Sequence, residues 1–305
     1  MKKVFAVMLA LLLISACSNA PKEEGVIKVY TRDATSGTRE AFFGFIGLGE
    51  DLTNEAIEVA SNGDMATKIG ADSYGIGYVS LDTDFEANKI VALDYEGVKA
   101  TKENVLNKSY TLSRPFVFAT RASGTFASAD KEELVAAFCD FMMNSVEGGL
   151  AISGAGAIVT NEVERVAWST LADKYPVLAK DNSGITIVTV GSTSVEKSLK
   201  SLLETFQPMA GNFQFQMNQT GSGDAQKRIL GDDKDGPNQG DIGFASRAFK
   251  AEEDISKALV NNEFALDAVV VAISKSNTSE ITNLTKEQAL AIFSGEVSKF
   301  SELLK

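Results

Sequence analysis

The sequence RDATSGTR at residues 32–39 lies between a predicted strand and a predicted helix. Residues Ile27–Tyr30 alternate as a strand does, and the apolar residues that follow the turn recur at helical spacing over 38–47. The first N–H groups of a helix have no partner within it, and glycine lets a ligand approach the backbone closely. The stretch therefore predicts a strand–turn–helix unit with an anion site at its turn.

Two further turns have the same form. GSTS at 191–194 stands between the apolar run Ile185–Val190 and a helical pattern over 194–206. TGSG at 220–223 stands between an alternating segment and a helical pattern over 223–230. Serine and threonine are common N-caps, so each turn alone indicates ordinary capping. Three such turns, one of them beginning with an arginine, favour a shared anion site.

Short apolar strands alternate with helices along the rest of the chain. This alternation predicts an α/β fold with largely parallel sheets. Strands are predicted at 27–30, 76–79, 116–119, 185–190, 242–245 and 268–273. Helices are predicted at 38–47, 130–144, 161–172, 194–206, 223–230 and 285–293.

Residues 1–16 are typical of a bacterial export signal, because two lysines precede a short apolar run. The sequence LISAC at 13–17 resembles a lipobox, in which Cys17 is acylated and becomes the first residue of the mature chain. A plain cleaved signal peptide is the alternative. We expect residues 17–25 to form a lipidated tether that holds the protein at the outer face of the cytoplasmic membrane.

The composition excludes several classes of function. The chain has no histidine, which removes most zinc sites and Ser-His-Asp triads. Without the signal it has 27 basic and 41 acidic residues, a net charge of −14 that repels nucleic acid. Apart from the acylated Cys17, Cys139 is the only cysteine, and it is expected in the core. The acidic loop 231–236 lacks calcium-loop spacing. We expect neither a cofactor nor a metal.

The motifs resemble those of the phosphate-binding proteins of bacterial Pst-type ABC transporters, over nearly all of the chain after the tether. The resemblance rests on TRDATSGTREAF (31–42), SNGDMATKI (61–69), IGYVSL (76–81), SRPFVFAT (113–120), VGSTSVEKSL (190–199), TGSGDAQKRI (220–229), DIGFASRAF (241–249) and NLTKEQALAIFSGEVSKFSEL (283–303). It implies a type II periplasmic-binding-protein fold. Each of the two domains would be a mainly parallel sheet flanked by helices, with a two-strand hinge and a ligand cleft between them.

The order of these stretches differs from the usual order of the family, in which the GSTS turn comes first and the SGT turn follows the IFSGE segment. We interpret the difference as a circular permutation. The resemblance then places a first lobe at 26–113 plus 277–305 and a second lobe at 114–276. Pattern breaks at Ser113–Pro115 and in the polar segment Ser274–Asn283 lie near the two crossings.

The resemblance also assigns the phosphate contacts. They are Arg32, Ser36, Gly37 and Thr38 from the first lobe, and Thr193, Ser194, Ser222 and Ser246 from the second. Arg32 would give a forked, charge-assisted pair of hydrogen bonds, and the others would give hydroxyl and N–H donors. A hydroxyl such as that of Ser246 is also able to accept the proton of hydrogen phosphate.

Two positions depart from the usual pattern of the family. Ala34 stands where an acidic residue is usual, and Thr35 stands where glycine is usual. Some members have a carboxylate at the position of Ser246. Selectivity against sulfate and arsenate is therefore left open.

Three other features near these motifs allow two interpretations. Arg39 and Arg247 either attract the anion or pair with nearby acids such as Glu40 or Glu252. A second Ser-Gly-Thr at 123–125 precedes the helix predicted over 130–144, and capping is the better interpretation of it.

The resemblance implies a monomeric, non-enzymatic, extracytoplasmic lipoprotein. It would capture inorganic phosphate between two lobes and deliver it to an ABC permease. Three alternatives remain: a binder of another oxyanion or a phosphate ester, a phosphate-ester hydrolase, and a lipid-anchored sensor or adhesion protein that binds phosphate without transport. The lack of histidine argues against the hydrolase.

Overall fold

A computed structural model describes residues 25–304, so the predicted signal, Cys17 and nearly all of the tether lie outside the described residues. The strands are β1 (Lys28–Arg32), β2 (Ile57–Val59), β3 (Gly75–Ser80), β4 (Ile90–Ala92), β5 (Asp94–Tyr95), β6 (Ser113–Thr120), β7 (Thr186–Gly191), β8 (Gln214–Gln219), β9 (Ile242–Ala245), β10 (Asn261–Ser274) and β11 (Asn283–Leu284). The helices are α1 (Gly37–Ile46), α2 (Asn62–Gly70), α3 (Lys102–Leu106), α4 (Ala129–Asn144), α5 (Val146–Gly154), α6 (Trp168–Ala172), α7 (Glu196–Phe206), α8 (Gly223–Ile229) and α9 (Lys286–Ser294). Short 3-10 helices lie at Glu162–Glu164, Pro176–Ala179, Thr193–Val195, Gln207–Met209 and Phe300–Leu304.

One mixed sheet runs through most of the described chain, in the order β2-β1-β3-β10-β6-β9-β7-β8, and β4 also pairs with β10. The pairs of β1 with β2 and β3, and of β7 with β8 and β9, are parallel. The long strand β10 is antiparallel to β3, β4 and β6, and β6 is antiparallel to β9. The parallel arrangement predicted from the sequence therefore holds at the two outer parts of the sheet, and the middle is antiparallel.

Buried side chains form two main clusters, one at each end of this sheet. We call the elements around the first cluster, with core residues in 27–112 and 268–300, the first lobe. The elements around the second cluster, with core residues in 116–265, are the second lobe. Ile158 belongs to the first cluster, because its backbone pairs with Leu266 of β10.

Two strands carry the chain between the lobes. The core changes from the first lobe to the second between Leu112, which directly precedes β6, and Phe116 on β6. It changes back between Ala265 and Ala268 on β10. The second change comes earlier in the chain than the boundary expected at 276/277. The exact domain limits therefore stay a prediction.

Most predicted elements are present, but one helix is divided. The pattern over 161–172 becomes a 3-10 turn and the short helix α6, because Val166 pairs with Val146 and Asn144 through its backbone.

Cys139 is buried, as expected. The two ends of the described chain lie together, since the N–H of Ile27 donates to the carbonyl of Ser298 at 2.8 Å. Among residues 25–304, no helix is both long and apolar enough to cross a membrane.

Candidate functional site

Four turns that follow strands meet where the two lobes face each other. β7, β8 and β9 run parallel to one another, so their carboxyl ends lie at one edge of the second lobe. The turns after them carry Thr193, Ser222 and Ser246. The turn after β1, on the first lobe, carries Ser36 and packs against them, because the N–H of Gly223 donates to the carbonyl of Thr35 at 3.0 Å.

Arg32 is fixed at this junction and is only 1% exposed. Its Nη1 donates to Oγ1 of Thr193 across the lobes at 2.9 Å, and its Nε donates to the carbonyl of Val59 at 3.1 Å. Burial lowers the pKa of Arg32, while the nearby Asp33 carboxylate acts in the opposite direction. A guanidinium nevertheless stays protonated in proteins. The site therefore contains one buried positive charge whose forked geometry suits an oxyanion.

The start of α1 brings two more predicted residues to the junction. Ser36 is the N-cap, and its Oγ accepts the N–H of Arg39 at 3.3 Å. Oγ1 of Thr38 lies 2.7 Å from Oγ of Ser194 on the second lobe. Both hydroxyls of this contact are buried, and either oxygen is able to donate to the other or to a ligand.

Gly37 lies very close to the second lobe. A Cβ at this position would lie 2.3 Å from Oγ of Ser222 and 2.9 Å from Oγ of Ser246, so only glycine fits here. The same serine hydroxyls are 3.2 Å apart, and Ser192 donates to Oγ of Ser246 at 3.0 Å. The structure thus brings all eight predicted residues, four from each lobe, to one junction.

The segment before Ser36 is organised by a carboxylate of its own. Oδ1 of Asp33 accepts the N–H of Thr35 at 2.8 Å and also the Thr35 hydroxyl, while Ala34 is exposed. Burial raises the pKa of Asp33, but the hydrogen bonds from Thr35 and the charge of Arg32 outweigh it and hold this pKa below its ordinary value. A Cβ on Gly221 would lie 2.3 Å from Oγ1 of Thr35, so this glycine makes room for the threonine.

Arg39 and Arg247 are held by other partners. The Arg39 guanidinium donates to the carbonyl of Arg32 at 2.8 Å and lies 5.0 Å from the ring centroid of Phe43. Nε of Arg247 lies 2.9 Å from the Glu40 carboxylate, so this ion pair joins the lobes. Its Nη1 pairs at 2.7 Å with Glu253, one residue beyond the Glu252 expected from the sequence.

Three buried charged groups near the junction hydroxyls were not predicted from the sequence. Arg114 pairs with Asp267 at 2.7 Å between the two strands that join the lobes, and its Nη1 is 3.3 Å from Oγ of Ser246. Asp82 is 4% exposed. Its backbone carbonyl accepts a hydrogen bond at 2.9 Å from Nζ of Lys197 on the second lobe. Burial, together with the negative charge of Asp267, raises the pKa of Asp82 to about 7. The proline after Arg114 marks a pattern break, but nothing in the sequence connects Arg114 to Ser246.

A surface cleft between the lobes opens beside the junction. It has a volume of about 480 Å³ and includes Asn62 and Asp82 from the first lobe, and Thr193, Ser194 and Lys197 from the second. Within the part of the chain that the structure describes, no cluster of three or more histidine, cysteine, aspartate or glutamate residues is able to hold a metal ion. The donors at the junction are a buried guanidinium and several hydroxyls, which suit an anion.

The sequence of the chain is similar to known proteins over most of its length. A family model described as a PBP superfamily domain matches residues 169–304. The phosphate-binding protein PstS 2 of Streptococcus agalactiae is 28% identical over 304 residues, which cover 96% of this chain and 94% of that protein. PstS 2 of Streptococcus pneumoniae is 25% identical over 301 residues, covering 94% and 93% of the two chains. These similarities confirm the resemblance to PstS-type proteins.

The fold is similar to a solved structure. A crystal structure of a phosphate-binding protein of a phosphate ABC transporter from Streptococcus pneumoniae superposes with a TM-score of 0.64, at 23% identity, over 91% of this chain and 99% of that one. This match confirms the α/β, periplasmic-binding-protein-like fold. Because each PstS 2 alignment spans both chains almost end to end, those relatives have the segments in the same order. A permutation relative to other members of the family stays a prediction.

Proposed function

We propose that this chain, which is similar to PstS-type phosphate-binding proteins, captures inorganic phosphate between its two lobes for uptake by an ABC permease. One observation carries the proposal: a buried arginine and hydroxyl-bearing turns from both lobes meet at one junction. Arg32, Thr38, Thr193 and Ser194 make direct contacts across it. A tetrahedral oxyanion needs donors from several directions, and these groups provide them.

The proposed mechanism is an exchange of hydrogen bonds. The contact of Arg32 with Thr193 and the contact of Thr38 with Ser194 are made between groups that are able to donate to a phosphate oxygen. An anion that enters would replace them with charge-assisted bonds, which are about twice as strong as neutral ones. Because the donors come from both lobes, the bound anion favours the closed arrangement over the open one.

The test is a calorimetric titration of the purified, phosphate-stripped chain with inorganic phosphate, alongside the variant Arg32→Ala. We expect the variant to lose affinity by at least about 100-fold, since it removes two charge-assisted hydrogen bonds. Arg32→Lys keeps the charge without the fork and should bind with an affinity between those of the wild type and Arg32→Ala. Circular dichroism verifies that each variant is folded.

Arg121→Ala is the matched control, because Arg121 is also a buried arginine and also precedes a Ser-Gly-Thr turn. Its guanidinium donates to Gln239 and pairs with Asp235, away from the junction. The control should keep its phosphate affinity within about twofold. No binding by the wild type, or equal losses in Arg32→Ala and Arg121→Ala, would overturn the proposal.

The finer parts of the function belong to the same proposal. We place the protein outside the cytoplasm, with a lipid on Cys17 as its anchor and with the permease as its partner. It acts as a monomer and as a binding protein without catalytic activity. The lipobox-like sequence at 13–17 supports the location and the anchor, and the similarity to phosphate-binding proteins of ABC transporters supports the binding role and the permease partner.

A further inference from the structure

Arg114 and Asp267 form a buried ion pair between the two strands that join the lobes. The two residues stand directly opposite each other on β6 and β10, and they are 3% and 1% exposed. Nε and Nη2 of Arg114 both donate to Oδ2 of Asp267, at 2.9 and 2.7 Å. Its Nη1 donates to Oγ of Ser246 at 3.3 Å. The guanidinium therefore links the hinge strands to the candidate anion site.

The Ser246 hydroxyl has a nearly complete set of hydrogen bonds. A hydroxyl has two acceptor positions and one proton, whereas a guanidinium donates only. Oγ of Ser246 accepts from Arg114, and it also accepts from Ser192 at 3.0 Å. Oγ of Ser192 itself accepts the N–H of Ser194 at 3.1 Å, which leaves the Ser192 proton for Ser246. Both acceptor positions of Ser246 are therefore filled, and only its proton remains.

The remaining proton of Ser246 is able to point either to Oγ of Ser222 or into the junction. Oγ of Ser222 is 3.2 Å away and already accepts the backbone N–H of Ser246 at 3.0 Å. Gly37 of the first lobe is also close, because a Cβ there would lie 2.9 Å from Oγ of Ser246. An anion held at the start of α1 would meet Ser246 as a donor.

We propose that Arg114 is a positioning residue that holds the Ser246 hydroxyl as a hydrogen-bond donor and so determines which oxyanions the site accepts. This inference rests on the proposed function. A fixed donor suits an unprotonated oxygen and leaves a protonated oxygen without an acceptor. Arg114 therefore weakens discrimination between phosphate and sulfate, because every oxygen of sulfate is unprotonated. Asp267 balances the charge of Arg114, so orientation rather than added charge carries the effect.

The test measures the dissociation constants of phosphate and sulfate at one pH for the wild type and for Arg114→Met combined with Asp267→Asn. The double variant removes both charges together and avoids an isolated buried carboxylate. Freed from Arg114, the Ser246 hydroxyl is able to turn and accept the phosphate proton. We expect the ratio of the sulfate to the phosphate dissociation constant to rise about tenfold, the effect of one hydrogen bond.

Two further variants make the test specific. Arg114→Lys keeps a cation beside Asp267 but is unable to fork to Ser246, so the ratio should rise here as well. In a Ser246→Ala background the double variant should change the ratio by less than about twofold, because the hydroxyl on which Arg114 acts is absent. Circular dichroism again verifies folding.

Each outcome decides between the two proposals. Equal weakening of both anions, with an unchanged ratio in a protein that binds phosphate, would mean that Arg114 has only a structural role and would overturn this inference alone. A changed ratio that persists in the Ser246→Ala background would also overturn it. A wild type that binds neither anion would overturn the proposed function and this inference together.

Discussion

The tripeptide Ser-Gly-Thr occurs twice in this protein, and the two copies have opposite surroundings. Residues 36–38 begin α1 at the junction of the lobes, where Ser36 and Thr38 are each 2% exposed. Residues 123–125 are exposed and lie before α4. In the second copy, Oγ of Ser123 and the N–H of Gly124 donate to the two carboxylate oxygens of Glu132, at 2.6 and 2.7 Å.

Both copies present donors suited to an anion, and the difference lies in which carboxylate is within reach. In the second copy, Glu132 occupies the donors and completes the turn. In the first copy, the nearby carboxylate of Asp33 binds Thr35 instead and leaves the hydroxyl of Thr38 to face Ser194. A local motif therefore indicates an anion site only when the rest of the fold brings further donors to it and no side chain of the chain fills it.

Among changes within the two copies, the largest effect is expected from a methyl group added at the glycine of the first copy. Gly37→Ala would place a Cβ 2.3 Å from Oγ and 2.8 Å from Cβ of Ser222, so the lobes could not close fully. We expect phosphate affinity to fall about 30-fold, as overpacking by one methyl group costs about 2 kcal/mol. Isothermal calorimetry measures this change.

Gly124→Ala is the matched variant in the second copy. Gly124 has a φ of +76° and no neighbour that a Cβ would meet. Alanine in this left-handed conformation should lower the free energy of unfolding by about 1 kcal/mol and leave phosphate affinity unchanged. Normal phosphate binding by Gly37→Ala would show that the first copy does not close on the ligand.

The sequence was sufficient to predict the local units of the site. β1 and α1, and likewise α8, have alternation, helical periodicity and a turn within a few residues of one another, so their signals do not depend on the rest of the fold. Helix α5 was missed because it contains Gly148 and Gly149, which favour turns over helices. The antiparallel middle of the sheet depends on pairing between distant strands, which no local pattern records.

The same reasoning explains which site residues were found. Arg32 and Gly37 belong to a contiguous motif, whereas Arg114 reaches Ser246 across 132 positions of sequence. The sequence around Arg114 does not indicate its contact with Ser246. Asp267, which pairs with Arg114, lies within an apolar strand. The sequence there shows a charged residue among apolar ones but does not indicate its partner. Long-range pairs of this kind become visible only in three dimensions.

A smaller effect is expected from removing the carboxylate that fills the second copy. Glu132→Gln keeps the shape of the side chain but loses two charge-assisted hydrogen bonds to Ser123 and Gly124. The free energy of unfolding in urea should fall by about 1 kcal/mol, with phosphate affinity unchanged within about twofold. Asp130→Asn is the control, because Asp130 lies in the same helical turn but pairs with Lys180. An equal loss in both variants would assign the effect to the helix dipole rather than to the turn.

The smallest effect is expected at Asp33 and depends on pH. Burial raises the pKa of Asp33, but the hydrogen bonds from Thr35 outweigh it and hold this pKa below its ordinary value in the folded protein. The contribution of Asp33 to stability is therefore complete above the unfolded pKa of about 3.9 and is lost as the pH falls through the folded pKa. Asp33→Asn should lower the free energy of unfolding by about 0.5 kcal/mol at pH 7, a small value because the carboxylate is 30% exposed. The difference in the free energy of unfolding between Asp33→Asn and the wild type should become smaller below about pH 4. A constant difference from pH 7 down to pH 2 would mean that the asparagine of the variant fails to pack in the loop and that the charge of Asp33 does not organise the first copy.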